Sequence, residues 1–153
     1  MAPLWTAVFV CLAAAVAEGL FAGGEVREHL ESVRLPRRSP PFWLWVMIGI
    51  AYYAIFFTVL LRLLSMPPST WRTFALVLAL AVLGANAVWN YFFFRKKDMK
   101  ASLFFSIAYS AVAVVLILLL LRIDVIASGL LTVYGIYLIF ANRWQYEMWR
   151  ANR

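Results

Sequence analysis

The sequence predicts an all-α integral membrane protein, a bundle of five transmembrane helices. The chain has 153 residues, of which 65% are hydrophobic, and its mean hydropathy is +0.85. A soluble domain is only roughly half apolar. Five apolar runs of about 20 residues, the length a helix needs to cross a bilayer, alternate with charged or proline-containing breaks. We expect one domain over residues 1–153.

The breaks between the apolar runs set the bounds of the predicted helices. A charged first loop, residues 24–41, ends in Pro40-Pro41, and Pro67-Pro68 separates the second and third runs. The first run contains no Lys or Arg before Ala17, so we expect a retained helix and not a signal peptide. The predicted helices span residues 3–23, 42–64, 73–94, 101–121 and 125–149.

The basic residues predict how the chain is oriented in the membrane. Eleven of the fourteen Lys and Arg residues lie in the first loop, the third loop and the C-terminal end, whereas Arg62, Arg72 and Arg122 lie on the other side. Cytoplasmic loops are enriched in Lys and Arg. We therefore expect the N-terminus outside and the first loop and C-terminus in the cytoplasm. Because this orientation accounts for the net charge of +7, we expect no nucleic-acid partner.

Polar and polar-tipped aromatic residues recur at one depth. Counted at about 1.5 Å per residue, each helix places such a group about 9–16 Å below the first-loop surface. One interpretation is an aromatic pocket for a flat apolar ligand; the other is hydrogen bonding that holds the helices together. The residues at this depth are Glu18, Tyr52, Tyr53, Asn86, Trp89, Tyr109, Tyr134 and Tyr137.

Three further features lead to expectations about single residues. We expect Glu18 to lie near the interface, hydrated or paired with a first-loop Arg, and His29 to be a solvated loop residue. Tryptophans near the ends of the runs, Trp43 and Trp45 among them, are expected at the headgroup level. Small residues four positions apart predict close helix packing within the bundle or at a dimer face; they are Ala15, Gly19, Gly23, Ala75, Ala79, Ala81 and Ala85.

Three motifs resemble the TspO/MBR family of translocator proteins, once called peripheral benzodiazepine receptors. The third run contains Asn86-Ala87-Val88-Trp89 followed by Phe92-Phe93, and the first loop contains Pro36 and then Pro40-Pro41. The last run resembles the family from Tyr134 to Asn152. The resemblance covers nearly the whole chain and implies a TspO-like fold.

The resemblance also implies a ligand site. The family is implicated in binding porphyrins, sterols and synthetic aromatic ligands, and the corresponding pocket here would lie beneath the first loop. Tyr146 and Arg150 match the end of the family's sterol motif, a pattern that is only hypothesis-grade. The implied pocket residues are Trp43, Tyr53, Asn86, Trp89, Phe93, Tyr134, Tyr137 and Ala141.

Several positions depart from the family pattern, so the ligand is open. Gly49 stands where a helix-two Trp is usual, Asn90-Tyr91 where Thr-Pro is common, and Val133 where a proline precedes the helix-five Tyr. Tyr137 stands where a pocket Trp is usual. These departures characterise a divergent member.

Three function classes follow. The first is a sensory, regulatory or transport protein that binds a porphyrin-like tetrapyrrole, a chlorophyll-type pigment or a sterol-like lipid. The second is a non-catalytic accessory subunit of a larger membrane complex, such as a pigment-binding photosynthetic complex. The third, a porphyrin-modifying enzyme, is disfavoured because the sequence shows neither a nucleophile–base pair nor a metal cluster. Membrane lipids, a hydrophobic small molecule and a homodimer mate are the expected partners, and no cofactor is required.

Overall fold

The computed structural model describes residues 2–153, and the fold is entirely helical over this range. Five long helices are each long and apolar enough to cross a membrane. A short helix, α2, lies in the first loop. The helices are α1 (Ala2–Ala22), α2 (Val26–Ser32), α3 (Phe42–Ser65), α4 (Thr70–Asn90), α5 (Met99–Ile123) and α6 (Val125–Ala151). The prediction of a five-helix membrane bundle is confirmed.

Side-chain caps begin three of the long helices. The Ser69 hydroxyl accepts the Arg72 N–H at the start of α4, and the Asp98 carboxylate accepts the Ala101 N–H at the start of α5. Asp124 accepts two backbone N–H groups at the start of α6. Each cap satisfies donors that have no partner within the helix. The short breaks between the apolar runs therefore hold the residues that set where the helices begin.

The third span ends in a wide turn. Tyr91–Arg95 form a π-helix that continues α4, with the Lys96 N–H donating to the Tyr91 carbonyl at 2.9 Å. A π turn contains an extra residue, and such turns often occur at functional sites. It brings Phe93 and Phe94 to the interior of the bundle, where their ring centroids are 4.8 Å apart.

The long helices pack in a closed ring in the order α1, α3, α6, α5, α4. The half of the bundle away from the first loop has a solid core, in which Phe56, Leu63, Ala79, Leu116 and Leu131 are fully buried. A second, smaller cluster of Phe93, Trp144 and Met148 lies beside the first loop. The two clusters leave space between them in the first-loop half.

The small-residue motifs have different outcomes. Ala75 and Ala79 are fully buried between helices, but Ala81 is exposed and Ala85 only half-buried. Ala15 and Gly19 are exposed on the outer surface of α1, and Gly23 is exposed just beyond its end; a Cβ added at either glycine would meet no atom within 4 Å. The face of α1 that packs on the bundle lies about a quarter turn away and consists of Ala7, Cys11, Ala14 and Glu18.

Candidate ligand cavity

A cavity of about 220 Å³ occupies the first-loop half of the bundle. All six helices and the π turn contribute to its wall. Half of the lining residues are aromatic, and the few polar groups come from carboxylate, amide and hydroxyl side chains. Ligand sites in proteins are concave, mainly apolar and contain a few polar groups. The cavity therefore has the composition of a binding site for a small apolar molecule.

One face of α3 forms the first wall. Phe42, Trp45, Gly49 and Tyr52 line the cavity, and their spacing of three or four residues places them on the same side of the helix. The Trp45 ring packs on the Trp144 ring of α6 at 4.9 Å. Tyr52 was among the residues at the predicted depth, but none of these four residues was among the pocket residues implied by the family resemblance.

Helix α4 and the π turn form the opposite wall. The Trp89 ring stacks on the Phe93 ring with centroids 4.8 Å apart and planes 10° from parallel. Its indole N–H donates to Gln145 Oε1 at 3.1 Å, and the Gln145 amide donates to Ser102 Oγ at 2.6 Å. Because one face of the ring stacks on Phe93 and its N–H is hydrogen-bonded, Trp89 is held in the cavity wall in one orientation.

The floor of the cavity is a cluster of tyrosines. The Tyr52 and Tyr134 rings lie 5.1 Å apart, and the Tyr134 ring contacts Phe56 of the solid core. Tyr109 and Tyr137 complete this cluster. The floor lies at the depth where the sequence predicted polar-tipped residues on every helix.

The position of Glu18 corrects the expectation from the sequence. The residue lines the cavity, and its Oε1 accepts the Asn86 Nδ2–H at 2.6 Å. It pairs with none of the first-loop arginines, because α1 turns this side chain into the bundle and not toward the headgroups.

His29 is also buried, with 3% of its surface exposed, although a solvated loop residue was expected. Its ring packs edge-on against Phe93 and Phe94, at 5.5 and 6.1 Å. Burial, with the nearby charge of Lys97, holds the pKa of His29 below its ordinary value, so the ring is neutral at pH 7. The reason is the short helix α2, which the sequence analysis did not predict.

Helix α2 covers the cavity at the first-loop end. Val26 and Leu30, four residues apart, line the cavity from above. The first loop is tied to the end of α6, where the Asn152 side chain forms two hydrogen bonds of 2.9 Å with the backbone of Arg34. The Trp144 indole N–H also donates to the Ser39 hydroxyl at 2.8 Å.

The structure brings together six of the eight predicted pocket residues. Trp43 is 64% exposed on the outer side of α3, and Tyr53 lies beside the cavity floor without lining it. The sterol-motif candidates Tyr146 and Arg150 lie outside the cavity, with the guanidinium over the Tyr146 ring at 5.9 Å. The six that line it are Asn86, Trp89, Phe93, Tyr134, Tyr137 and Ala141.

These features define a multi-pass membrane protein with an aromatic cavity inside a five-helix bundle. The TspO/MBR family profile matches residues 7–150, and the chain belongs to this family. No curated protein matches the chain. Within residues 2–153, no group of three or more His, Cys, Asp or Glu side chains is placed to hold a metal ion.

Proposed function

We propose that the protein binds a flat, mainly apolar ligand in this cavity, either a porphyrin-like tetrapyrrole or a sterol-like lipid, in a sensory, regulatory or transport role. The observation that carries the proposal is the aromatic wall beneath the first loop, in which Trp89 is held by stacking on Phe93 and by its indole hydrogen bond to Gln145. Aromatic contacts add about 0.5–1.5 kcal/mol each beyond the burial of apolar area. The cavity's composition and the family membership support the same ligand class.

The size of the cavity predicts how such a ligand enters. Its volume of about 220 Å³ is below the roughly 300 Å³ at the lower end of ligand pockets. A tetrapyrrole therefore requires α2 to move outward, which breaks the contacts of the first loop with Asn152 and Trp144. We propose that the first-loop end is the ligand entrance.

A direct titration tests the proposal. Protein in lipid nanodiscs is titrated with the neutral dimethyl ester of protoporphyrin and followed by the absorption band of the porphyrin. We expect saturable binding of one porphyrin per chain. Ala141→Phe, which places a ring in the cavity, should abolish binding, whereas Ala81→Phe on the exposed face of α4 should not. Absence of saturable binding by the wild type would refute the proposal.

A second candidate function is that of an accessory subunit of a larger membrane complex, such as a pigment-binding photosynthetic complex, or of a homodimer. It is favoured by the exposed ridge on α1, where a side chain added at Gly19 would meet no atom of the chain within 4 Å. Gly19→Leu should leave the isolated chain stable but reduce the size of the native assembly. Gly129→Leu, at an equally open position of α6, is the control. An unchanged assembly would exclude this ridge as an interface.

The proposed orientation places the N-terminus outside and the C-terminus in the cytoplasm, on the basis of the basic residues. Two single-cysteine variants in a Cys11→Ala background test it. Ser69→Cys should react with a membrane-impermeant thiol reagent added outside intact cells, and Lys96→Cys should not. Both positions are exposed at helix ends. The opposite pattern of labelling would reverse the orientation.

A further inference from the structure

The cavity contains one formal charge, and that charge is negative. Glu18 is the only ionised type of side chain in its wall, which includes no Lys, Arg or His. Four ion pairs form in the part of the chain that the structure describes, and Glu18 takes part in none of them. A carboxylate among apolar rings is costly unless it is paired. Its one hydrogen bond, from Asn86, occupies a single oxygen, and the nearby Tyr53 hydroxyl, which forms no hydrogen bond within residues 2–153, supplies no positive charge.

A second polar group of the cavity also has no partner. The Tyr52 side chain is 6% exposed and lines the cavity, and within residues 2–153 its hydroxyl has no hydrogen-bond partner. Buried hydroxyl groups in native proteins nearly always have one. The Glu18 carboxylate can only accept hydrogen bonds when ionised, and the Tyr52 hydroxyl can accept as well as donate. A ligand that donates N–H groups would satisfy both residues.

The aromatic wall suits the same kind of ligand. Faces of Trp and Tyr attract cations through the ring quadrupole, most strongly where water is excluded. Trp45, Trp89 and Tyr137 line the same cavity as Glu18. A carboxylate inside a box of aromatic rings is a site for an organic cation, whereas it repels the carboxylate groups of an acidic porphyrin.

We propose that the cavity takes a monocationic ligand, a protonated amine on a flat aromatic body, with the Glu18 carboxylate as its counter-ion. The inference rests on the proposed function, since it concerns the same cavity. It adds the charge of the ligand, which the tetrapyrrole and sterol proposals do not specify. A small aromatic amine also suits a cavity of about 220 Å³ with α2 in its closed position.

The test compares two flat probes of the same shape and different charge. At pH 7.5, 9-aminoacridine is a cation and acridine is neutral. Each is titrated into the full chain in nanodiscs of uncharged lipid, with empty nanodiscs subtracted. We expect the cation to bind about tenfold more tightly or better, because a hydrogen bond to a charged group is roughly twice as strong as a neutral one. Equal affinity of the wild type for the two probes would overturn the inference without any variant.

Two variants assign the preference to Glu18. Glu18→Gln keeps an oxygen for the Asn86 N–H but removes the charge, so the preference for 9-aminoacridine over acridine should disappear. Glu18→Asp keeps the charge and should keep part of the preference. A preference that persists in Glu18→Gln would place the counter-ion elsewhere and refute the assignment. If the wild type binds the porphyrin diester but does not prefer the cation, only this inference fails. If it prefers the cation but does not bind the porphyrin diester, only the proposed function fails.

Discussion

The two tryptophans Trp43 and Trp89 give the sharpest test of the cavity. The sequence assigned both to the ligand site, but the structure gives only Trp89 a place in the cavity wall, whereas Trp43 is 64% exposed on the outer side of α3. Replacing each by Ala removes the same side chain from two different environments. Only Trp89→Ala should weaken the binding of the neutral porphyrin diester.

The size of the effect follows from the contacts of Trp89. Its ring stacks on Phe93, and its free face is available to a ligand. Loss of one aromatic contact, about 0.5–1.5 kcal/mol beyond buried area, together with the lost apolar burial, gives roughly 1.4 kcal/mol or more. This corresponds to a dissociation constant raised by about tenfold or more. Trp43→Ala should leave the constant unchanged.

The readout is the absorption band of the bound porphyrin, because removing one of seven tryptophans changes the intrinsic fluorescence of the protein. Trp89→Ala also leaves Gln145 Oε1 without its indole donor and opens space in a packed wall, so its thermal unfolding must be recorded. Trp89→Phe keeps a ring against Phe93 and should retain most of the affinity. Equal weakening by Trp43→Ala and Trp89→Ala would refute the placement of the ligand in the cavity.

Three other predictions concern the two ends of the bundle. Asp124 accepts hydrogen bonds from two backbone N–H groups and from the Arg62 guanidinium. Asp124→Ala should therefore be less stable than Asp124→Asn by about 1 kcal/mol, the free energy of the lost cap, and should unfold at a lower temperature. Equal stability of the two variants would contradict this. Burial lowers the pKa of His29, so the packing of the first loop on the bundle should lose stability as the pH falls from about 6.5, the ordinary histidine pKa, toward the lowered value. Amide hydrogen exchange over residues 26–32 should therefore be faster at pH 5 than at pH 7.5 in the wild type, but not in His29→Phe. The same pH dependence in both proteins would refute the link. Asn152→Ala removes both side-chain hydrogen bonds to the first-loop backbone. The rate of porphyrin association, measured by stopped-flow mixing, should therefore increase. An unchanged rate would argue against entry of the ligand at this end.

Membrane insertion could be predicted from the sequence because the lengths and flanks of the apolar runs are set by the bilayer. The faces of the helices could not, because lipid tails are as apolar as a protein interior and amphipathic periodicity is weak. Trp43 and Trp45, two positions apart on α3, are therefore alike in the sequence, although Trp43 is exposed on the outer side and Trp45 lines the cavity. Spacing is the better guide, since the cavity face of α3 repeats every three or four residues.

The polar residues show the same limit. Glu18 and Asn86 lie at similar predicted depths on different helices, and the structure joins them by a 2.6 Å hydrogen bond. The sequence could not show whether the Glu18 carboxylate points to the headgroups or into the bundle, because that depends on the rotation of α1 about its own axis. His29 was misread because a seven-residue helix among charged residues leaves little periodicity to detect.

The π turn at Tyr91–Arg95 holds one residue more than a turn of α-helix. Its hydrogen bonds skip five residues, and a return to the four-residue spacing of an α-helix would rotate the residues beyond the turn by about 100° relative to those before it. Such a rotation would change the direction of Phe94 relative to the cavity, whereas Asn86 and Trp89, which precede the turn, would keep theirs. A register change confined to one turn would thus alter the volume available to a ligand without any displacement of the five long helices.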